Sequence, residues 1–418
     1  MKIAKVLHVI GRSGSYNKDL AAMRAGAKSD GFIYAGEPVT PGFTRIVQPG
    51  AAVSIMLLLE DGQVAFGDCT DVIFSGAAGR DRLFRPEEHQ EFLAAKLPSL
   101  LQGRDVGRFR PLAEEIDRLA VRGDRLHAAL RYGITQALLH ATALAQRVPM
   151  AQVIAGEYGC PVASAKLPIL VSSPTGDRNQ LDMRILKRVD LLPHSSFTHV
   201  ERHVGLKGEK LIAYGRDVVR RIAEIGEPGY RPTIHLDVYG TLGELFRNNI
   251  DAIAGYLGEL KQAVGPHELM VEAPVIMPSR AEQIAVYQAL CASIRRLGHG
   301  TQIIVDEWCN TLEDVKAFAD AGAGDLLQVK TPDLGGINNT IEAVLYARGK
   351  GIGVSLGGSL NETDQSARIT AHIGLACRPT YLFAKPGAGG DAGLMILDNE
   401  MIRTLALLRD MRKVRDSV

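Results

Sequence analysis

The chain has 418 residues, 46% of them hydrophobic and 23% charged, with a formal net charge of +1. This is the balance of a globular protein, and it excludes a polybasic surface for nucleic acid or anionic membrane. The length suits a barrel of about 250 residues plus a smaller domain.

The N-terminal MKIAKVLHVIGRSG carries an apolar run too short for a signal peptide, and no stretch reaches the ~18 apolar residues of a membrane span. Ala51–Leu59 and Gln63–Cys69 are apolar runs joined by Glu60-Asp61-Gly62, a hairpin signal. Glu87–Leu101 reads as a helix. Asp124–Gln146 reads as a longer one, with Asp124 as N-cap candidate and Leu126, Leu130, Ile134 and Leu138 at helical spacing. Strands followed by helices predict an α+β domain over residues 1–165. The five cysteines, Cys69, Cys160, Cys291, Cys309 and Cys377, are scattered without a C-x-x-C. They read as free thiols in a reducing, cytoplasmic setting.

From Lys166 the pattern becomes regular alternation. Candidate strands are Leu167–Ser172, Asp190–Pro193, Thr233–Asp237, Leu269–Glu272, Gln302–Asp306, Leu326–Lys330, Ile352–Leu356 and Tyr381–Ala384. Helical patterns between them cover Glu209–Ile225, Leu242–Val264, Arg280–Leu297, Leu312–Ala321, Ile337–Arg348 and Glu362–Leu375, with a weaker one over Ser173–Val189. Eight such units predict a closed parallel barrel over residues 166–390. The tail at 391–418, helical over Asn399–Lys413, is expected to pack back on the first domain.

Four strand ends carry ionisable side chains: Asp237, Glu272, Asp306 and Lys330, separated by 35, 34 and 24 residues. Working residues of a barrel sit at the C-terminal ends of its strands. Three carboxylates there suit Mg2+, a hard ion that keeps positions open for water or substrate. Residues i and i−2 share a face, so Ile304 and Asp306, Met270 and Glu272, and His235 and Asp237 should point inward. His235 reads as a satisfied histidine of the interior layer. A lysine beside a divalent cation has a depressed pKa and can act as a base near neutrality. Lys330 therefore reads as the base that removes a proton next to a carboxylate, the resulting enediolate being stabilised by the cation. A Schiff-base role for Lys330 would leave the three acids superfluous. His194 ends the second strand, across the mouth from Lys330, as a second base or partner acid.

These residues resemble the enolase superfamily and, within it, the methylaspartate ammonia-lyase family. The likeness rests on GDCTDVIFSGAAGRDRLF at 67–84, VDLLPH at 189–194, GLKGEKL at 205–211, HLDVYGT at 235–241, DEWCNTLEDVK at 306–316, QVKTPDLGG at 328–336, NET at 361–363 and AKPG at 384–387. It implies an α/β fold, a modified (β/α)7β TIM barrel with an N-terminal capping domain. It implies Mg2+ on Asp237, Glu272 and Asp306, and Lys330 and His194 as bases toward opposite β-configurations of a 3-substituted aspartate. It also implies Gln328 on substrate, K+ as a further cation, a homodimer, and conversion of 3-methylaspartate to mesaconate and ammonia. The chain departs from the family at Ile73 and Ser172, where glutamines are usual, and at Ser359 and Leu360. Loss of amide partners points to a shifted substrate, the other reading being ordinary methylaspartate lyase activity with compensating contacts. Dehydration, racemisation or cycloisomerisation of another carboxylate, and a non-catalytic binding role, are the alternatives.

Overall fold

Long aliphatic runs near the N-terminus form a three-stranded antiparallel sheet of β1 (Ile3–Lys18), β2 (Val47–Leu59) and β3 (Val64–Cys69), in that order. The structure, a computed structural model, describes all residues except Ala78, Arg122, Lys385, Pro386, Ala388, Ser417 and Val418, and no side chain beyond Met411. Ala78 of the 67–84 segment and Lys385 and Pro386 of the AKPG segment thus lie outside the described residues. The expected hairpin turns at Gly62, whose φ of 85° needs a residue without Cβ.

Helix α2 (Ala128–Gln146) covers this sheet, and α1 (Phe109–Asp117) packs against α2. A Cβ on Gly133 would stand 2.3 Å from the Cys69 backbone nitrogen, and one on Gly67 would stand 2.2 Å from the Gly133 carbonyl. Two glycines therefore let α2 cross β3 at backbone contact. The helix begins later than Asp124. Asp124–Arg125 instead pairs with Ala120–Val121 around Gly123, whose φ is 93°. The true cap is His127, whose ring accepts from the Ala129 N–H at 3.1 Å, while Asp81 accepts from the Ala128 N–H at 2.7 Å. The segment expected as a helix over Glu87–Leu101 winds irregularly: a 3-10 turn at Pro86–His89, a π turn at Phe92–Lys96, then one α turn. Pro98 has no N–H for the ladder.

The barrel consists of eight parallel strands: β4 (Ile169–Leu170), β5 (Leu191–Ser196), β6 (Thr233–Asp237), β7 (Leu269–Glu272), β8 (Gln302–Val305), β9 (Leu326–Val329), β10 (Gly353–Gly357) and β11 (Tyr381–Phe383). It closes by pairing β11 with β4. Leu170, Leu191, Met270, Ile304, Leu326, Tyr381 and Phe383 fill its interior as one cluster, which fixes the inward parity expected for Met270 and Ile304. Alternate residues such as Ile234, Val271, Ile303 and Leu327 pack in the main core.

The main helices between the strands are α3 (Arg178–Leu186), α4 (Glu209–Ile225), α5 (Ile250–Val264), α6 (Arg280–Leu297), α7 (Leu312–Ala321), α8 (Ile337–Gly349) and α9 (Asp364–Cys377), with a short extra helix at Thr241–Leu245 ahead of α5. The order is (β/α)7β, and the weak pattern before β5 is a real helix capped by Asp177. The helix expected over Leu242–Val264 breaks: Arg247 and Asn248 take φ values of 50° and 55°, and Asn249 caps α5 afresh.

The last helix, α10 (Gly390–Asp416), lies along α9. Its acids meet barrel cations. Asp391 pairs with Arg184 and Lys187 at 2.7 Å, Asp398 with Lys166 at 2.5 Å, and Glu400 with Arg368 at 3.1 Å. The capping domain is fastened to the barrel by α2. Buried Asp117 accepts from Arg131 at 2.5 Å and from the Gly336 N–H at 3.0 Å, and the Thr135 hydroxyl accepts from the Ile337 N–H at 3.0 Å.

Candidate active site

Asp237 and Glu272 are the last residues of β6 and β7, and Asp306 and Lys330 directly follow β8 and β9. Alternation sends all four to the face that carries Met270, Ile304 and Leu326. Just beyond each acid the backbone turns sharply: Tyr239, Ala273 and Trp308 take φ values of 48°, 47° and 67°. Asp237 is steadied by the Tyr239 N–H and the Ser196 hydroxyl, each at 3.1 Å.

All three acids are buried. Burial, then the charges of Glu272 and Asp306, hold the Asp237 carboxyl well above the ordinary range. Burial, then Asp306, does the same to Glu272, against the pull of Lys330. Glu272 Oε2 has no hydrogen-bond partner among the described residues. Three buried carboxylates whose ionised forms are disfavoured without a counter-charge have the donor chemistry that would suit a hard divalent cation such as Mg2+.

Lys330 donates to Asp306 Oδ1 at 2.5 Å. Burial pulls its ammonium down, but Asp306 and Glu307 outweigh that and raise it overall. The depressed lysine expected from the sequence is therefore not produced by the protein's own charges; it needs an added positive charge to compete for Asp306.

His194 arrives by a different route. Pro193 pairs with His235 and Ser195 with Leu236, so His194 is an extra, unpaired residue with φ 45°. The strand expected to stop at Pro193 continues through this bulge to Ser196. Bulges re-aim side chains. Here Ser195 turns outward to the Tyr214 hydroxyl at 2.6 Å, and His194 turns inward, edge-on to Phe383 at 4.4 Å between ring centroids. Burial, then His235 and Lys330, hold His194 well below its ordinary pKa. His235 is interior, as expected, but it is not merely filler. Its Nδ1 lies 3.2 Å from His194 Nδ1, and its Nε2 lies 3.2 Å from Glu272 Oε2. Burial lowers its pKa to about 4.

Gln328 is buried, and its Nε2 donates to the Gly357 carbonyl at 3.2 Å. A Cβ on Gly358 would collide with that amide at 2.2 Å, so glycine is required there. Gln328 Oε1 has no partner among the described residues. The Ser359 hydroxyl accepts from the Asn361 N–H at 3.4 Å. Leu360 is half-buried where the barrel loop meets β1: the Gly14 N–H donates to the Asn361 carbonyl at 3.1 Å. Ile73 and Ser172 accept hydrogen bonds through their carbonyls, from the Lys18 N–H at 2.8 Å and Arg184 Nε at 3.2 Å.

Sequence reasoning missed Arg80. From the capping domain its Nε reaches Asp333 at 2.9 Å and its Nη1 reaches Glu307 at 3.5 Å, all three side chains being under 10% exposed. Glu307 follows Asp306, and the Asp333 N–H donates to the Lys330 carbonyl at 3.0 Å. One guanidinium thus ties the capping loop to the segments bearing a carboxylate and the lysine. Its signal was its place in the SGAAGRD run, between glycine and aspartate.

A family model described as methylaspartate ammonia-lyase C-terminus matches residues 161–410, and one described as methylaspartate ammonia-lyase N-terminus matches residues 1–159. Methylaspartate ammonia-lyase 2 of Carboxydothermus hydrogenoformans is 50% identical over 98% of this chain and 99% of its own. The Mg complex of β-methylaspartase from Clostridium tetanomorphum is 43% identical with a TM-score of 0.94, over 98% of this chain and 100% of that one. Methylaspartate ammonia lyase of Citrobacter amalonaticus containing (2S,3S)-3-methylaspartic acid is 45% identical with a TM-score of 0.95, over 98% and 100%. Muconate lactonizing enzyme from Pseudomonas putida, 18% identical with a TM-score of 0.61 over 93% and 89%, shares the fold.

Proposed function

The chain belongs to the methylaspartate ammonia-lyase family, and on that premise we propose that it is a Mg2+-dependent carbon–nitrogen lyase acting on a 3-substituted aspartate. The observation that carries this reading is Lys330 held 2.5 Å from Asp306 beside the buried Asp237 and Glu272. A Mg2+ held by the three carboxylates would supply positive charge against the substrate carboxylate as the neighbouring proton leaves. Lys330, freed from Asp306 by that charge, takes the β-proton at Nζ. His194 takes the proton of the opposite β-configuration, or returns one as partner acid. Gln328 offers its uncommitted Oε1 to the substrate. Ammonia then departs from the α-carbon, leaving an unsaturated diacid, mesaconate when the substrate is 3-methylaspartate.

The substrate preference is shifted in this reading. Ile73 and Leu360 present aliphatic side chains, and Ser172 and Ser359 short hydroxyls. An aliphatic group cannot replace an amide's hydrogen bonds to a carboxylate or amine. A homodimer completes the proposal. Val9, Ile10, Phe32, Ile33 and Val39 are all at least half exposed and would be covered by a second copy. Free thiols at all five cysteines support a cytoplasmic setting; no helix among the described residues is long and apolar enough to cross a membrane. K+ is the second cation of the proposal, tested by replacing it with a bulky organic cation during assay.

The experiment is turnover of 3-substituted aspartates with Mg2+, followed by ultraviolet absorbance of the conjugated product. Ile73→Gln with Ser172→Gln should raise kcat/KM on 3-methylaspartate by about tenfold, one good hydrogen bond's worth of discrimination. An unchanged ratio between substrates counts against the shift. Tight Mg2+ binding without turnover of any 3-substituted aspartate sinks the lyase reading.

A further inference from the structure

Two helices end against each other where the capping domain runs into the barrel. The helix Met150–Tyr158 closes on Gly159, whose φ is 65°, and Cys160 follows, its N–H donating to the Ala155 carbonyl at 3.1 Å. Helix α9 has Cys377 as its last residue, just before Arg378 with φ 54°. The two helices pack on each other, and the Ala163 N–H donates to the Leu375 carbonyl at 2.7 Å. That bond pins the chain just after Cys160 to the last turn of α9. The Cys377 thiol is the hydrogen-bond partner of the Cys160 sulfur. Cys160 is half-buried and Cys377 fully buried. Arg348 donates to the Cys377 carbonyl, and both Arg348 and Arg378 bring positive charge near Cys160.

We propose that Cys160 and Cys377 form a reversible intrachain disulfide when the protein meets a hydroperoxide, with Cys160 as the attacking thiol and Cys377 as the resolving one. The roles follow from exposure and charge. The thiolate is the nucleophile, and it must be reached by the oxidant. Cys160 is the solvent-accessible member of the pair. The Cys377 hydrogen bond, helped by the two arginines and opposed by partial burial, brings its thiol down to about 7. Burial, and then Cys160 itself, push the Cys377 thiol up. Cys69, Cys291 and Cys309 are buried, and burial raises all three. Buried thiols of that kind are inert.

In the first step the Cys160 sulfur attacks one peroxide oxygen and the O–O bond breaks. The far oxygen leaves with the Cys160 proton, as water when the oxidant is hydrogen peroxide, and Cys160 becomes a sulfenic acid. In the second step the Cys377 sulfur attacks the Cys160 sulfur. The S–O bond breaks, the S–S bond forms, and the hydroxyl leaves as water with the Cys377 proton. The two thiols have together lost two electrons and two protons, and the peroxide has gained them. A dithiol reverses the bond by exchange. Because α9 ends where β11 is about to begin, the pair lies at the face of the barrel opposite the strand ends that carry Asp237, Glu272 and Asp306. Its oxidation can therefore be followed without turnover.

The test is hydrogen peroxide on the folded, full-length protein, then thiol blocking in denaturant and peptide mapping without reductant. A peptide pair joined through Cys160 and Cys377 is expected in a chain that still runs as a monomer on a denaturing gel. Free thiols should fall from five to three per chain, and dithiothreitol should restore all of them. In Cys377→Ser, Cys160 should stop at the sulfenic acid and be trapped by dimedone. In Cys160→Ser, Cys377 should oxidise at least about tenfold more slowly than the wild-type pair. Cys160 that gains oxygen without forming the cross-link overturns the inference. So does a cross-link between two chains, or oxidation of Cys160 no faster than that of Cys69, Cys291 and Cys309. The wild-type map decides alone should a serine variant fail to fold.

Discussion

Replacing Arg80 with methionine keeps the aliphatic bulk and removes the guanidinium that Asp333 and Glu307 share. Arg80 is 3% exposed at the side chain, and its contacts are 2.9 and 3.5 Å. Removing one partner of a buried ion pair costs about 3–5 kcal/mol, because the charge left behind is stranded. The structure shows where within that range the cost falls. Burial already holds Asp333 above the ordinary aspartate value of 3.8, although Arg80 pulls it down. Without Arg80 the carboxyl rises further and takes up a proton more easily. A carboxyl whose folded pKa lies above its unfolded one binds more protons when folded, so the stability tied to it is present in acid. It is lost as pH climbs from the unfolded value through the folded one. Arg80→Met should therefore be destabilised by about 3 kcal/mol in mildly acidic buffer and by nearer about 5 kcal/mol above neutrality. Urea midpoints at two pH values measure this, with the unfolding slope as a check on comparability. Turnover should fall as well, since the 73–84 loop loses its hold on the segments after β8 and β9. A variant within about 1 kcal/mol of wild type in alkaline buffer, or one hurt more in acid than in base, would refute the reasoning.

Lys330→Ala should abolish turnover while isothermal titration shows Mg2+ affinity held or tightened, because the ammonium no longer competes for Asp306. Asp306→Asn should weaken Mg2+ binding at least about tenfold, the loss of one charged ligand. In the wild type, Mg2+ affinity should fall with decreasing pH sooner than ordinary carboxylates predict: Asp237 and Glu272 must ionise to bind, and both are raised. Gly133→Ala should lower thermal stability by about 1–3 kcal/mol, since its Cβ would meet the Cys69 nitrogen at 2.3 Å; a melt identical to wild type would show that the close helix–sheet crossing is dispensable.

The parts of the site that follow the barrel's repeat were legible in the sequence. Asp237, Glu272, Asp306 and Lys330 end similar apolar runs, and a period of two sends each inward, so one rule places all four. The structure agrees because Met270, Ile304 and Leu326 behind them share one interior layer. What escaped reading depends on register or on distant partners. The bulge at His194 exists only relative to β6, and no local pattern in VDLLPHSS marks it. The start of α2 depends on Asp81, 47 residues from Ala128. The helical pattern of α10 shows an apolar face but not which neighbour supplies the matching cations. Arg80 required the docked domains before its two carboxylates could be seen. His235 was read correctly as interior, but its partners come from β5 and β7, and strand parity says nothing about which ring nitrogen meets which neighbour.

The extra residue in β5 divides the mouth of the barrel into two kinds of architecture. The carboxylates and Lys330 stand where any evenly repeating strand would put them, and they survive drift in length as long as each strand keeps its phase. His194 has no such protection. Deleting one residue between Leu192 and Ser195 would restore an unbroken ladder with β6, a change that regular pairing favours, and would leave nothing at the position His194 occupies. On the proposed roles, handedness at the reacting carbon would then be set by Lys330 alone. A one-residue length polymorphism, invisible in the barrel's composition, is thus a short route by which a scaffold with the proposed pair of bases could pass from serving two mirror-related protons to serving one.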